Sequence, residues 1–216
     1  YDDIVKRIPR SEIEEYAEIL KLSFDEVKNA GSKFEIVGSY RRGKSNSGDI
    51  DVIITDSDGE RSVFNNFLDK LIEKKLLVEI LSRGKVKSLT IGKLPGKPAR
   101  RLDFLYSPPD EYAFAVLYFT GSKNFNTFMR RRALELGYSL NEHGFSKMTS
   151  GKKGDKLEMK FVDEESIFDF LGMEYKKPEE RIDGNSVVLT PSVSSLSEKT
   201  KDKDMVTDTK SKETIN

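Results

Sequence analysis

The 216-residue sequence predicts an α+β protein on three observations. Short apolar segments of β type are concentrated between residues 34 and 106. From about residue 110 onward, apolar residues recur at helical spacing instead. The Pro108-Pro109 step separates the two stretches, and proline restricts the backbone on both sides of it. We therefore expect a mixed sheet with helices over 1–107, followed by a small helix-rich subdomain over 108–182.

The first half is expected to open with a long helix. Ser11 and Glu14 have the spacing of a capping box, and apolar residues follow at helical spacing from Ile13 as far as Gly31. Alternating apolar residues and turn residues define the rest of this half. The other expected elements are strands at 34–37, 49–54, 76–81, 86–91 and 102–106 and a helix at 63–75.

Helices dominate the expected second half. Two of them, at 111–118 and 125–136, are separated by Thr120-Gly121, and a short third helix is expected at 167–171. After residue 182 the sequence is rich in Ser, Thr, Lys and Asp, and it loses the apolar pattern. Such a segment buries too little apolar surface to offset its ordering entropy. We expect 183–216 to be a disordered tail.

Composition excludes several kinds of site. The chain has no Cys, which excludes disulfides, thiolate zinc sites and Cys nucleophiles, and its single His excludes a His-based metal cluster. No run of about 18 apolar residues is present, so no membrane span is expected. The first residue is Tyr rather than Met, which indicates part of a longer protein.

The charge is balanced overall but not locally. Lys plus Arg and Asp plus Glu both number 37, which taken alone argues against a nucleic-acid partner. However, 83–101 holds seven cations and no acid, and 123–132 adds four more cations, again without an acid. Salt screens charges beyond about 8–10 Å, so a local basic face can bind DNA although the net charge of the whole chain is zero.

Asp49 and Asp51 are the first candidate metal ligands. The period of a strand puts both on one side, with Cα atoms about 6–7 Å apart, opposite Ile50 and Val52. Two carboxylates on one edge can share a divalent cation, and oxygen ligands suit Mg²⁺. An exposed strand with acids facing water is the ordinary alternative for so short a motif.

The segment before these acids strengthens the metal interpretation. Gly38-Ser39 forms a turn rich in small residues after a strand, and Arg41, Arg42 and Lys44 follow it. Backbone N–H groups in such a turn, with arginine beside them, can cradle phosphate. Such a turn next to two carboxylates is what a nucleoside triphosphate with its metal requires.

Asp103 is the candidate third carboxylate. A second metal ion would need it, and its neighbours Leu102 and Phe104 would face the opposite side of their strand. The alternative is a strand-edge acid that pairs with Arg100 or Arg101.

The longer segments around these residues resemble one family. They are similar, in order and over roughly residues 1–182, to successive blocks of the family X DNA polymerases. The segments are GSYRRGKSNSGDIDVIITD, ARRLDFLYSPPDEYAFAVLYFTGSKNFNTFMRRRALELGYSLNEHGF and FLGMEYKKPEER. The resemblance implies a nucleotidyltransferase palm over 1–107 and a nucleotide-selecting subdomain over 108–182.

The resemblance also implies a role for each matching position. Asp49, Asp51 and Asp103 match the family's metal-binding acids. The positions that match its triphosphate-binding residues are Gly38, Ser39, Arg42, Ser47 and Gly48. Tyr118, Phe119 and Gly121 match the turn that lies against the sugar, and Asn126 matches the reader of the minor-groove edge of the incoming base. Arg130 matches a template contact and Arg101 is expected to contact DNA, although 130–132 could be only a solvated helix face.

The implied reaction is DNA-directed DNA synthesis. It would use two Mg²⁺ ions, for which Mn²⁺ can substitute, with deoxynucleoside triphosphates and gapped or primer-template DNA as substrates. We expect a monomer that acts in the nucleus in short-gap repair. Lys123 and Leu105 depart from some members, which carry an acid and an arginine at these positions. No segment here matches the family's lyase domain, so no lyase activity is assigned.

Two alternatives remain at this point. One is a template-independent nucleotidyltransferase of the same superfamily, against which YFTG argues, since terminal transferases carry a GWTG-type turn. The other is a truncated, non-catalytic DNA-binding module, against which the presence of all three acids argues.

Overall fold

The structure, a computed structural model, describes residues 6–191. Its strands, in chain order, are β1 Ile8–Pro9, β2 Lys33–Ile36, β3 Asn46–Ser47, β4 Ile50–Thr55, β5 Leu77–Arg83, β6 Lys87–Gly92, β7 Arg100–Tyr106, β8 Tyr138–Asn141, β9 Gly144–Thr149 and β10 Lys152–Lys156. Its helices are α1 Arg10–Val27, α2 Gly38–Arg41, α3 Ser62–Glu73, α4 Tyr112–Thr120, α5 Lys123–Glu135 and α6 Glu164–Phe170, with 3₁₀ turns at Pro178–Glu180 and Gly184–Ser186. No helix in 6–191 is both long enough and apolar enough to cross a membrane.

The central sheet has the strand order β2-β4-β7-β6-β5. β4 and β7 run parallel, and the other neighbours are antiparallel. The expected mixed sheet is therefore confirmed. A two-stranded ladder joins β1 to β3, and a separate antiparallel sheet has the order β10-β9-β8.

Alternation along β4 places the main core on one face of this sheet. Ile50, Val52 and Ile54 are buried there among side chains of α1 and α3. Ile53 points to the other face and packs with residues of α4, including Val116. The acids at alternate positions of the strand therefore share the face that α4 covers in part.

A second core forms under α4, α5 and α6. Aromatic side chains fill it, and they pack mostly edge to face, as Phe114 does against Phe145 and Phe161. Phe125 of α5 and Phe168 of α6 are fully buried in the same cluster. The helix-rich half thus has a core of its own, to which β8 and β9 also contribute.

A charged clasp, formed by Arg41, Glu164 and Arg181, joins the two halves. The Glu164 carboxylate accepts hydrogen bonds from the guanidinium of Arg41 and, at 2.5 Å, from Nη1 of Arg181. Arg41 Nη1 also donates to Thr120 Oγ1 at 2.9 Å. Arg181 is fully buried, and its guanidinium lies against the rings of Phe168 and Tyr175. One carboxylate therefore pairs with two arginines from distant parts of the chain, and Arg41 also pairs with Glu35 at 3.2 Å.

Three local predictions are wrong. The capping box is absent, because α1 already begins at Arg10 and Ser11 therefore lies inside the helix. Pro9 is the N-cap residue, and no side chain caps the helix. That helix ends at Val27, four residues before the expected stop at Gly31. The strands β8–β10 were not expected, because they are short and β10 is lysine-rich and exposed along its whole length.

The first part of the expected tail, residues 183–191, is ordered in the structure. Residues 183–191 hold a 3₁₀ turn, and Leu189 forms a β-bridge with Met173. Val187 packs against the second core, an apolar contact that the polar composition of the segment concealed. The remainder of the expected tail, 192–216, and residues 1–5 lie outside the described residues.

Candidate active site

Three carboxylates meet at one end of the β4–β7 pair. The parallel register places Asp51 directly beside Asp103, and Asp49 stands just before β4. One oxygen from each of the three lies within 4.8 Å of the others. Leu102 and Phe104 point into the main core on the opposite face, as the alternation predicted. The structure therefore brings together the acids that the sequence singled out.

The cluster carries more negative charge than its surroundings balance. Burial, followed by the charges of Asp49 and Asp103, raises the pKa of Asp51 to about 7. Burial and the charge of Asp103 also raise the pKa of Asp49. Arg101 Nη2 donates to Asp103 Oδ1 at 2.9 Å, so Arg101 faces the acids. Hard oxygen donors with unbalanced charge fit a divalent cation such as Mg²⁺.

The expected phosphate turn lies beside the acids. It forms one turn of helix, α2, rather than the expected loop, and Gly38 begins it with φ of +67°, which favours glycine. A Cβ at Gly38 would lie 3.5 Å from Asp51 Oδ2. Ser39 Oγ donates to Ser47 Oγ at 2.6 Å, which closes the turn onto the residue before Gly48. The four small residues Gly38, Ser39, Ser47 and Gly48 therefore line one side of the cluster.

Two arginines that the sequence reading missed hold this turn from the N-terminal side. Arg7 Nε donates to Asn46 Oδ1 at 2.8 Å, and a Cβ at Gly48 would lie 3.2 Å from Arg7 Nη1. Arg10 Nη1 donates to the carbonyl of Tyr40 at 2.7 Å, and its guanidinium lies over the Tyr40 ring. These contacts join residues 30 or more positions apart, so local patterns do not reveal them. The only local sign was the cationic segment KRIPR, which could contribute to a phosphate site.

Arg42 connects the phosphate turn to the joint between α4 and α5. Its Nη1 donates to the carbonyl of Thr120 at 2.7 Å. Gly121 follows with φ of +72°, and a Cβ there would lie 3.2 Å from the same Nη1. Both a positive φ and this close approach therefore require glycine at the joint. Burial lowers the pKa of Arg42 from its ordinary value.

The aromatic pair before the joint lies between the two halves. The rings of Tyr118 and Phe119 meet edge to face with centroids 5.0 Å apart, and both residues are half-buried. Phe119 lines a cavity together with Asp51, Asp103 and Lys87. Lys87 is a further residue that sequence reasoning did not place near the acids. Phe119 therefore borders the carboxylate cluster directly, whereas Tyr118 lines the crevice beside α5.

Asn126 and Arg130 occupy one face of α5. Asn126 Nδ2 donates to the carbonyl of Tyr118 at 2.7 Å, and both α5 residues line a crevice with Met129 and Leu140. Arg130 is exposed, whereas the neighbouring Arg131 lies over the ring of Phe128. The structure thus separates Arg130 from the rest of the arginine run.

The basic stretch 83–101 presents less unpaired positive charge at the surface than its composition suggested. Arg100 is buried, and its Nε donates to Glu12 at 2.5 Å. Arg83 Nη1 pairs with Asp69 at 2.7 Å. Lys97 likewise pairs with Glu15 at 3.6 Å. Partners from α1 and α3 therefore neutralise some of the seven cations, and the local basic face is smaller than the count of charges suggested.

Comparison with known proteins agrees with this architecture. The family model "DNA polymerase beta palm" matches residues 7–109, and "DNA polymerase beta thumb" matches residues 115–182. The chain belongs to the family X DNA polymerases. This confirms the expected family and the palm fold followed by a second, smaller subdomain.

Individual relatives belong to the same family. DNA polymerase lambda of Rattus norvegicus is 37% identical over 195 residues, and that of Arabidopsis thaliana is 32% identical over 199 residues. DNA nucleotidylexotransferase of Xenopus laevis is 28% identical over 222 residues. Each match covers 84% of this chain, which spans 34%, 37% and 42% of the three relatives, respectively.

Proposed function

We propose that the chain is the catalytic part of a DNA-directed DNA polymerase that adds deoxynucleotides to a primer 3′-hydroxyl in short-gap repair. The observation that carries this proposal is the meeting of Asp49, Asp51 and Asp103 within 4.8 Å, directly beside the turn that begins at Gly38. A carboxylate cluster next to a phosphate-binding turn has the chemistry of nucleotidyl transfer. On this proposal residues 1–107 form the palm and 108–182 the nucleotide-selecting subdomain.

The three acids would hold two Mg²⁺ ions, for which Mn²⁺ can substitute. When bound, these ions would supply Lewis-acid stabilisation of the charge that develops on the reacting phosphate and its leaving group. Asp49 and Asp51 would both serve as ligands to these ions, and Asp103 would be the ligand on the primer side. Arg101, which donates to Asp103, would fix the orientation of that carboxylate and lie where DNA enters.

The triphosphate would be bound by the turn on the other side of the acids. Ser39, Ser47 and Gly48 would offer hydroxyl and backbone donors, and Arg42 would supply a guanidinium from the joint. Arg7, which lies beside Gly48, joins this set on the evidence of its position. A concentration of donors at one place fits the high charge of a nucleoside triphosphate.

The nucleoside would lie against the joint between α4 and α5. Tyr118, Phe119 and Gly121 would form the platform for the sugar, and Asn126 would read the minor-groove edge of the base. Arg130, which is exposed on the same face of α5 as Asn126, would contact the template strand. We propose gapped or primer-template DNA as the partner, a monomer as the active state and the nucleus as the location.

Single-nucleotide gap filling with Mg²⁺ tests this proposal. Wild type should extend the primer with the nucleotide complementary to the template, and Asp49→Asn should not. Asp155→Asn, on the exposed strand β10, is the matched control and should extend normally. Extension by Asp49→Asn at the wild-type rate would refute the site assignment.

Template-independent transfer is the second candidate, because DNA nucleotidylexotransferase is among the relatives. Extension of a single-stranded primer at the rate seen with a template would favour it. The YFTG turn favours dependence on the template instead. A protein that binds gapped DNA without incorporation in Mg²⁺ or Mn²⁺ would indicate a non-catalytic module.

A further inference from the structure

The chain continues past the match to the family's thumb, which ends at residue 182. The next nine residues, 183–191, form a segment that we call the C-terminal strap. It crosses α5 and reaches the end of α6, and a short 3₁₀ turn at Gly184–Ser186 shapes it. The Asp183 carboxylate stabilises that turn by accepting a hydrogen bond from the backbone N–H of Asn185 at 2.9 Å.

The chain is first fixed at the N-terminus of α5, just before the strap begins. Ser122 caps this helix, since its Oγ accepts from the backbone N–H of Phe125 at 3.2 Å. The same hydroxyl donates to the carbonyl of Ile182 at 2.5 Å, and the Ser122 N–H donates to the carbonyl of Arg181 at 3.2 Å. The strap therefore starts from the residue that also begins the helix.

The second anchor is a close contact in the middle of α5. Gly184 lies flat against the ring of Phe128, where an added Cβ would come within 2.6 Å of ring carbons. The backbone φ of Gly184 is not in the left-handed region, so a larger residue there is opposed by the contact rather than by the conformation, and the partly exposed Phe128 ring would have to move to admit it. Val187 then packs against the second core.

The third anchor ties the strap to the end of α6. The backbone N–H of Glu174 donates to the carbonyl of Val188 at 2.7 Å, and that of Thr190 donates to the carbonyl of Gly172 at 2.8 Å. Arg132 of α5 reaches the same place, where its Nε donates to the carbonyl of Leu171 at 2.9 Å. The strap, the end of α6 and one side of α5 are thus joined.

The side of α5 that meets these anchors is opposite to its proposed functional side. Phe128 and Arg132 are four residues apart and share one face, while Asn126 and Arg130 share another. Because a helix turns about 100° per residue, the two faces are about 200° apart. The strap therefore contacts α5 on the side opposite to the one on which Asn126 and Arg130 lie.

We propose that the C-terminal strap is a positioning element that holds α5 against the nascent base pair and thereby contributes to discrimination between correct and incorrect nucleotides. This inference rests on the proposed function, since it needs Asn126 and Arg130 to meet the base pair. Gly184 and Phe128 are the positioning residues. Neither touches the acids or the phosphate turn, so their loss should change selection more than chemistry.

The test uses full-length Gly184→Ala and Phe128→Ala, with Asn185→Ala as the matched control on the same turn. Gap filling would give kcat and KM for the correct nucleotide and for each mismatch, and Tm would be measured in parallel. We expect the two positioning variants to lose about tenfold in discrimination, because small displacements of reacting groups have large effects on rate. The control should discriminate as wild type does.

A double variant separates positioning from general destabilisation. Leucine at position 128 leaves room for a Cβ at position 184, so Gly184→Ala with Phe128→Leu should recover discrimination relative to Gly184→Ala alone. If the single variants lower Tm but discriminate as wild type does, the strap is only structural and the proposal is overturned.

Amide hydrogen exchange distinguishes failure of this inference from failure of the proposed function. If wild type shows no template-dependent incorporation, the proposed function fails. The rate of amide hydrogen exchange in α5 then decides by itself whether the strap supports that helix. Faster exchange over 123–135 in both positioning variants, with Asn185→Ala unchanged, would support the strap as the support of α5. Unchanged exchange over that range would overturn it.

Discussion

The sheet half of the molecule, 33–106, and the helix-rich half, 112–191, place their candidate site residues in different ways. In the sheet half the register of two parallel strands fixes Asp51 beside Asp103 through backbone hydrogen bonds. In the helix-rich half, Asn126 depends on contacts that α5 makes with residues more than fifty positions away. Chemistry should therefore tolerate damage to distant supports, whereas selection and stability should not.

The largest expected effect is at an acid of the sheet half. Asp103→Ala should leave nucleotide binding nearly intact and reduce extension by more than about 10³-fold. The variant lacks one proposed ligand of the metal ions that would stabilise the charge developing during transfer. Nucleotide binding is measured by titration and extension by single-turnover gap filling. Asp155→Ala, which removes an exposed acid of β10, is the control. Extension by Asp103→Ala near the wild-type rate would mean that the acids do not act as a unit.

The clasp between the halves should show the next largest effect, on stability. Glu164→Gln keeps the shape of the side chain but removes the carboxylate that pairs with the fully buried Arg181, and it leaves Arg41 with Glu35 alone. Loss of one partner from a buried pair typically costs about 3–5 kcal/mol. Denaturant unfolding should show this loss, while Glu165→Gln, on the exposed side of α6, should not. Equal unfolding free energies for the two variants would contradict the role of the clasp.

Arg42 tests the connection between the phosphate turn and the joint. Arg42→Ala should raise KM for the nucleotide by about 10–100-fold with a smaller change in kcat, because charge-assisted hydrogen bonds contribute roughly 1.5–3 kcal/mol. Lys44→Ala removes an exposed cation from the same segment and serves as the comparison. Steady-state kinetics on gapped DNA measure both. An equal rise in KM for Lys44→Ala would indicate a general charge effect.

The smallest expected effect is a gain in stability at the acids. The pKa of Asp51 is raised in the folded state, so the carboxylate destabilises the fold as pH rises from about 4 through 7. In EDTA, Asp51→Asn should therefore raise Tm at pH 8 but not at pH 3, by about 2–4 °C for each kcal/mol relieved. Differential scanning fluorimetry measures this shift, and added Mg²⁺ should stabilise wild type more than the variant. A lower Tm for the variant in EDTA at pH 8 would contradict charge repulsion in the cluster.

The sheet half was the more predictable one. Alternation in DIDVII and RRLDFLY gave the faces of β4 and β7, and hence the side on which Asp51 and Asp103 meet. The sequence also predicted each helix except the short α2, with small differences at the ends. Local periodicity carries this information, because the spacing of apolar residues along a strand or helix indicates which of its faces is buried.

The rest depends on contacts between distant residues. Alternation along β7 places Arg100 on the buried face and Arg101 on the face of Asp103, but nothing local indicates that Glu12 of α1 is the partner that neutralises Arg100. Likewise, β10 has no buried side chain and is stabilised by its pairing with β9, and the strap packs against Phe128. Tertiary contacts override local propensity at these positions.

The short ladder between β1 and β3 has a mechanical consequence. Ile8 pairs with Ser47, and Arg10 donates its backbone N–H to the carbonyl of Ser45, so the chain ahead of α1 is fastened to the phosphate turn. Tension applied from the N-terminal side would reach Ser47 and Gly48 through these bonds before it reached α1. Asp51 and Asp103, which lie within the paired strands β4 and β7, would feel that force last. The phosphate turn is thus the part of the candidate site that would respond first to a force applied at residue 6.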